Sequence, residues 1–158
     1  MIIEREVSTM MMNREIWFDM DGTIANLYGV DGWLDDLVNE RVRPYEVARP
    51  LVNMQALARV LNRLARDGWN IGIVSWTAKN GTAEYNKKVA EVKKEWLSKH
   101  LASVKFTKIE VIEYGTPKFK VANDENAILF DDEVNNRNEW NGVAYDVNEI
   151  IEVLKGLK

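Results

Sequence analysis

Two aspartates, Asp19 and Asp21, stand two residues apart just after the apolar run "IWF", and Gly22 and Thr23 come next. Carboxylates this close repel unless a cation, a shared proton or water relieves them. A second acidic pair, Asp131 and Asp132, closes another apolar run, "AILF". Strand-end acids can serve simply as turn formers. Two such pairs on separate runs point instead to one place where several carboxylates converge. An all-oxygen set without thiol or imidazole partners suits a hard cation, Mg²⁺ first, with water and substrate phosphate completing its shell.

Composition narrows the chemistry further. The 158 residues include no cysteine, which excludes disulfides, thiol catalysis and zinc–thiolate sites. The single histidine, His100, cannot build a histidine-rich metal centre. It reads as a residue near a helix end, where it favours the helix dipole. Apolar residues make up 46% and charged residues 29%, the profile of an ordinary globule, and the length implies one domain with a full core. The net charge of -4 argues against a general nucleic-acid binder. It leaves room for a small phosphorylated substrate, because a bound metal reverses the local field. No window is long and apolar enough to span a membrane, and "MIIEREVSTMMMNRE" carries charges where a signal peptide needs its apolar core. The expected location is cytoplasmic. Residues 1–13 read as an N-terminal extension, with Met12 as an alternative start, and residues 14–158 as a single domain.

The elements that must position the acids alternate along the chain. "NIGIVSW", "KIEVIEY", "AILFDD" and "GVAYDV" read as strands after the first one at "IWFD". "NMQALARVLNRLARDGW" places Met54, Leu57, Ala58, Leu61, Leu64 and Ala65 on one helical face and stops at Asp67 and Gly68. "AEYNKKVAEVKKEWLSKHL" reads as a second amphipathic helix, with Tyr85, Val89, Val92 and Trp96 inward and its charges on a solvated face. "TPKFKVA" offers Thr116 as an N-cap and Pro117 at the first helical position. The last helix turns Ile150, Ile151 and Leu154 inward. This alternation predicts an α/β domain with a mainly parallel five-stranded sheet, and ligands bind such sheets beyond the carboxyl ends of the strands. An insert over about 24–50 is longer than a turn and short for a domain. Its "WLDDLVNERV" reads as one small helix, with Pro44 and Pro50 breaking the chain beyond it, so a flap or minimal cap is expected.

At "DMDGT" the sequence resembles the first signature of the haloacid dehalogenase (HAD) superfamily of phosphotransferases. The later signatures come in that family's order: "IGIVS" ending at Ser75, then Lys118, then "ILFDD". The resemblance runs from about residue 14 to the C-terminus and implies a Rossmann-like HAD core. It implies that Asp19 is a nucleophile forming an aspartyl phosphate. Asp21 would be the acid that protonates the leaving oxygen and then the base that activates water. The backbone carbonyl of Asp21, with Asp19, Asp131 and Asp132, would hold Mg²⁺. Gly22 would allow the tight turn. Thr23 and Ser75 would hold phosphate oxygens, and Lys118 would offset charge on the phosphoryl group and Asp19. Dehalogenases of this type lack the second acid, and ion pumps carry threonine there, so Asp21 favours phosphatase or phosphomutase chemistry. Response-regulator receivers lack this signature. Lys120 is the alternative to Lys118; two apart on a helix, they do not share a face, and the first-turn position favours Lys118.

Tyr28, Trp33 and Trp76 fall near the expected mouth, where rings stack on a base. The competing reading of Trp33 is that it packs the flap helix onto the core. The pattern is similar to small 5'-nucleotidases of the superfamily, including phage-type relatives, although their cap is usually more developed. The expectation is a Mg²⁺-dependent phosphomonoester hydrolase for a small phosphorylated substrate, with (deoxy)nucleoside monophosphates as first candidates. One alternative is a phosphatase of polynucleotide ends, with a basic groove assembled from "KKVAEVKKEW". Another is a non-catalytic phosphate- or partner-binding module on the same fold. The joint presence of Asp19, Asp21, Lys118 and Asp131 speaks for catalysis. Asn135, Asn136 and Arg137 read either as hydrogen-bond partners of the acid pair or as polar helix residues.

Overall fold

The computed structural model describes residues 14–158, so the expected extension over 1–13 lies outside the described residues. The core is a five-stranded sheet built from β1 (Glu15–Phe18), β4 (Asn70–Trp76), β5 (Lys108–Ile112), β6 (Ile128–Phe130) and β7 (Val143–Tyr145). Their order is β5-β4-β1-β6-β7, and every neighbouring pair is parallel. Parallel strands need crossovers; here helices fill the connections except the one from β5 to β6, which carries only a 3-10 turn, and the inner strands are mostly apolar.

Alternation along β1 separates two cores. Ile16 and Phe18 face a large cluster containing Leu57, Leu61 and Leu64 of α3 (Met54–Arg66), Trp96 and Leu97 of α4 (Ala83–His100), and Ile150 and Leu154 of α6 (Ile150–Gly156). Trp17 faces the other way, against Val74, Leu129 and Trp140. Gly72 lies opposite Trp17 in register, and a Cβ there would stand 2.5 Å from the indole. The helices begin where capping chemistry starts them: Asn53 accepts from the Ala56 amide, and Thr82 accepts from the Tyr85 amide. α3 ends at Arg66, capped by Asp67, with Gly68 next at φ +99°. A short helix, α5 (Val134–Glu139), comes after the second acid pair.

The insert is more structured than one helix. β2 (Ala25–Asn26) and β3 (Arg49–Pro50) pair antiparallel and close its neck. Between them lie α1 (Trp33–Val38) and α2 (Arg43–Val47). Pro44 does not break the chain; it sits in the first turn of α2, where its missing N–H is no loss. Pro50 pairs in an isolated edge ladder, a place that tolerates proline. Asp36 is buried and draws in Arg41 and Arg43 at 3.2 and 3.0 Å. The insert is tied to α4 at two points. Glu40 accepts from the Thr82 amide at 2.8 Å and from its hydroxyl at 2.9 Å, and the Tyr85 hydroxyl donates to the Arg41 carbonyl at 2.8 Å.

The segment "TPKFKVA" departs from expectation. Lys118–Val121 forms a 3-10 turn, Pro117 occupies the cap position, and no side chain caps it. Four residues are too few for a hydrogen-bonded α-helical run of useful length. Among the described residues, no helix is long and apolar enough to cross a membrane.

Candidate active site

The parallel sheet ends its central strands at one edge, and the acids sit just beyond it. The Asp19 amide donates to the Phe130 carbonyl at 2.9 Å, which ties the exit of β1 to β6. The chain then folds back sharply: the amides of Thr23, Ile24 and Ala25 all donate to the Met20 carbonyl at 2.9–3.0 Å. Gly22 makes this turn at φ +81°, and a Cβ there would strike the Asp132 carboxylate.

Lys118 stands between two strand ends. Its Nζ lies 2.8 Å from Asp19 Oδ1 and 2.8 Å from Asp131 Oδ2, and all three residues are buried. Burial opposes its charge, but Asp19 and Asp131 outweigh burial and hold the ammonium protonated well above the usual lysine range. Lys120, by contrast, is exposed. Asp131 is fully enclosed. It accepts from the Glu133 amide at 2.9 Å and from Asn136 Nδ2 at 3.2 Å, while Arg137 donates to the Asp131 and Asp132 carbonyls at 3.0 and 2.9 Å. Asn136 and Arg137 are therefore partners of the acid pair.

Asp19, Asp131 and Asp132 each offer an oxygen within 4.8 Å of the others. Burial first, and then the Asp19 charge, push the Asp131 carboxyl up to about 6 and the Asp132 carboxyl up to about 7. One lysine among three carboxylates leaves the cluster short of positive charge. A hard divalent cation fits both the deficit and the all-oxygen donor set. The Asp21 carboxylate stands apart from this group. Its Oδ2 accepts from Lys93 Nζ at 2.9 Å, and burial, then Asp19, raise its pKa against the opposing pull of Lys93.

The two hydroxyls expected at phosphate lie behind the site. Thr23 is fully buried; it donates to Asp19 Oδ2 at 2.8 Å and accepts from the Asp132 amide at 3.2 Å. Ser75 is fully buried and accepts from Lys93 Nζ at 2.7 Å. Thr77, two residues on, lines the cavity, and its buried hydroxyl has no partner among the described residues.

Lys93 is the residue that sequence reading missed. The charges of α4 read as a solvated face, yet Lys93 is 1% exposed. The signal is present in the spacing: Lys93 lies four residues after Val89 and three before Trp96, which puts it on the buried stripe.

Asp19, Asp21, Lys118 and Asp132 line one end of a cavity of about 440 Å³. Tyr28, Trp33 and Trp76 all line it too, so the three expected aromatic positions come together. Trp33 meets Tyr28 edge to face at 5.0 Å. Trp76 packs on Tyr114 at 4.9 Å, and its indole N–H donates to the Thr116 carbonyl at 2.8 Å. Leu34, Leu37 and Val38 of α1 complete the apolar wall. His100 lies in the last turn of α4, against Trp96 at 4.3 Å.

No family model and no curated protein matches this chain. Among solved structures it is similar to the D,D-heptose 1,7-bisphosphate phosphatase from Burkholderia thailandensis. The TM-score is 0.56 at 8% identity, over 91% of this chain and 99% of that one. The likeness is one of fold, a Rossmann-like α/β core with a five-stranded parallel sheet.

Proposed function

We propose that this chain is a Mg²⁺-dependent phosphomonoester hydrolase acting through an aspartyl phosphate at Asp19. One observation carries the reading: Asp19 is gripped at both carboxylate oxygens, by Lys118 and Thr23, at the end of an aromatic cavity that Asp21 also lines. A nucleophile fixed this way meets the phosphorus in a single orientation. Asp19 attacks, and the bond from phosphorus to the leaving oxygen breaks. Asp21 delivers a proton to that oxygen and then takes one from the water that cleaves the acyl phosphate. Lys118 and the Thr77 hydroxyl face the phosphoryl oxygens as charge and hydrogen-bond donors. Mg²⁺ would be held by Asp19, Asp131, Asp132 and the Asp21 carbonyl, and would supply positive charge to the phosphoryl group.

The cavity supports a substrate with a flat leaving group, a nucleoside monophosphate before a sugar phosphate. Its walls are mostly aromatic and aliphatic, which suits a base better than a ring of hydroxyls. The heptose bisphosphate named for the neighbouring structure belongs to that protein, which shares only 8% identity with this chain. The test is phosphate release across a panel of nucleotides, sugar phosphates and small aryl phosphates, with Mg²⁺ and with chelator. Metal-dependent release, fastest on nucleotides, is expected. A preference for sugar phosphates removes the nucleotide assignment and leaves the hydrolase. No release from any ester removes both.

A further inference from the structure

We infer that Lys93 is the positioning residue of Asp21, holding its carboxylate toward the cavity; this rests on the proposed acid–base role of Asp21. An ammonium has three N–H donors, and those of Lys93 meet three acceptors: Asp21 Oδ2 at 2.9 Å, Ser75 Oγ at 2.7 Å and the Trp76 carbonyl at 2.7 Å. The Tyr45 ring closes the remaining side, 5.1 Å away. The acceptors come from two places, the turn after β1 and the end of β4. Lys93 therefore pins the Asp21 side chain to the end of β4, whose Trp76 also lines the cavity.

Packing alone does not call for a lysine here. Position 93 lies on the stripe of Tyr85, Val89, Trp96 and Leu97, all buried and apolar. A buried ion pair is often no more stable than a well-packed apolar replacement. Its partner is also not a core group: the Asp21 side chain keeps 18% of its surface accessible and lines the cavity, whereas Lys93 does not. Lys93 reaches the site from behind and touches no substrate space. It supplies orientation. A proton-transfer group must stay within hydrogen-bond reach of both the leaving oxygen and the attacking water, and a misplacement of about 1 Å can cost roughly 10²-fold.

The test is Lys93→Met, similar in length, uncharged and suited to an apolar stripe. Its kcat on a nucleoside monophosphate should fall by about 10²-fold or more, with KM within about three-fold of wild type. Combined with Asp21→Asn, it should add less than about three-fold to the loss from Asp21→Asn alone. A kcat near wild type, or losses that multiply in the double variant, overturns the inference. A readout independent of turnover is the crystal structure of Lys93→Met beside wild type. Asp21 should leave its place or split between rotamers, while Asp19 and Lys118 stay where they are. An unmoved Asp21 overturns the inference as well. A displaced Asp21 in a protein whose wild type hydrolyses no ester keeps the positioning role and removes the hydrolase reading. If Lys93→Met does not fold, Lys93→Gln undergoes the same measurements with the same outcomes.

Discussion

The Thr23 hydroxyl donates to Asp19 Oδ2 at 2.8 Å, four residues along the chain and buried. The Thr23 oxygen in turn accepts from the Asp132 amide, so one side chain joins both acid pairs. Thr23→Val keeps the shape and removes both contacts. Hydrogen bonds to charged groups are worth about 1.5–3 kcal/mol, so a loss of this order in unfolding free energy is expected. kcat/KM should fall by about ten-fold or more as Asp19 gains freedom. Thr23→Ser should recover most of both. Denaturant unfolding and steady-state kinetics check this, and an unchanged Thr23→Val would show that the hydroxyl contact does not form in solution.

Asp19→Asn should abolish turnover and any covalent phosphoenzyme. Asp21→Asn should slow turnover by about 10²–10⁴-fold, the usual weight of a positioned acid–base group, with the fold intact. Rapid quench with radiolabelled substrate distinguishes the two. The label should stay on protein in Asp21→Asn longer than in wild type, and never appear on Asp19→Asn. Near-wild-type turnover in Asp19→Asn would end the nucleophile assignment.

The acid cluster sets a pH dependence that a bound metal opposes. Burial and the Asp19 charge raise Asp131 to about 6 and Asp132 to about 7 from the ordinary aspartate value of 3.8. Between the ordinary and the raised values the folded state keeps protons that the unfolded state releases. Stability of the metal-free protein therefore rises as pH falls from about 8 toward 5, and the penalty is complete above about 8. Mg²⁺ competes with those protons, so its gain in melting temperature should be larger at pH about 8 than at about 6. Asp132→Asn should flatten the metal-free pH dependence and shrink the Mg²⁺ gain. Thermal melts over pH, with chelator or with Mg²⁺, measure each. A melting temperature indifferent to Mg²⁺ at every pH would count against the metal site.

Of the cavity's aromatics, Trp33 gives the cleaner substrate test. Trp76 also anchors the Thr116 carbonyl, two residues before Lys118, so its loss disturbs the lysine. Trp33→Ala should lower kcat/KM for nucleotides by about five-fold or more, as base–aromatic stacking of about 1–3 kcal/mol implies, and barely change it for a small aryl-free phosphate ester. Equal losses on both would show that Trp33 serves the flap alone.

The sheet and the gathering of acids were legible because both arise from strong periodic signals. β4 occupies the segment read for it, an apolar run too short for a helix. Once the strands are parallel, acids at the ends of β1 and β6 must meet, because those strands are neighbours. The flap was less legible. Its two strands are two residues each, below any period, and Pro44 marks a helix start as readily as a break. The turn at Lys118 reads as a helix until its length is known. Lys93 was hidden by composition: on a helix rich in lysine, one buried lysine looks like its exposed neighbours until its place on the stripe is counted.

The ties from Glu40 to Thr82 and from Tyr85 to Arg41 fasten the flap to the longest helix of the core. On the proposed mechanism, a wall fastened this way would set no clock on turnover, because nothing would need to swing open before the product departs. A phosphorylated Asp19 would stand beside Asp21, whose side chain keeps 18% of its surface accessible, so water would be its ready acceptor. An enzyme that must pass its phosphoryl group to a second sugar or alcohol needs to seal itself first. On the proposed mechanism, a fastened flap would favour hydrolysis over transfer, and a short life for the phosphorylated protein.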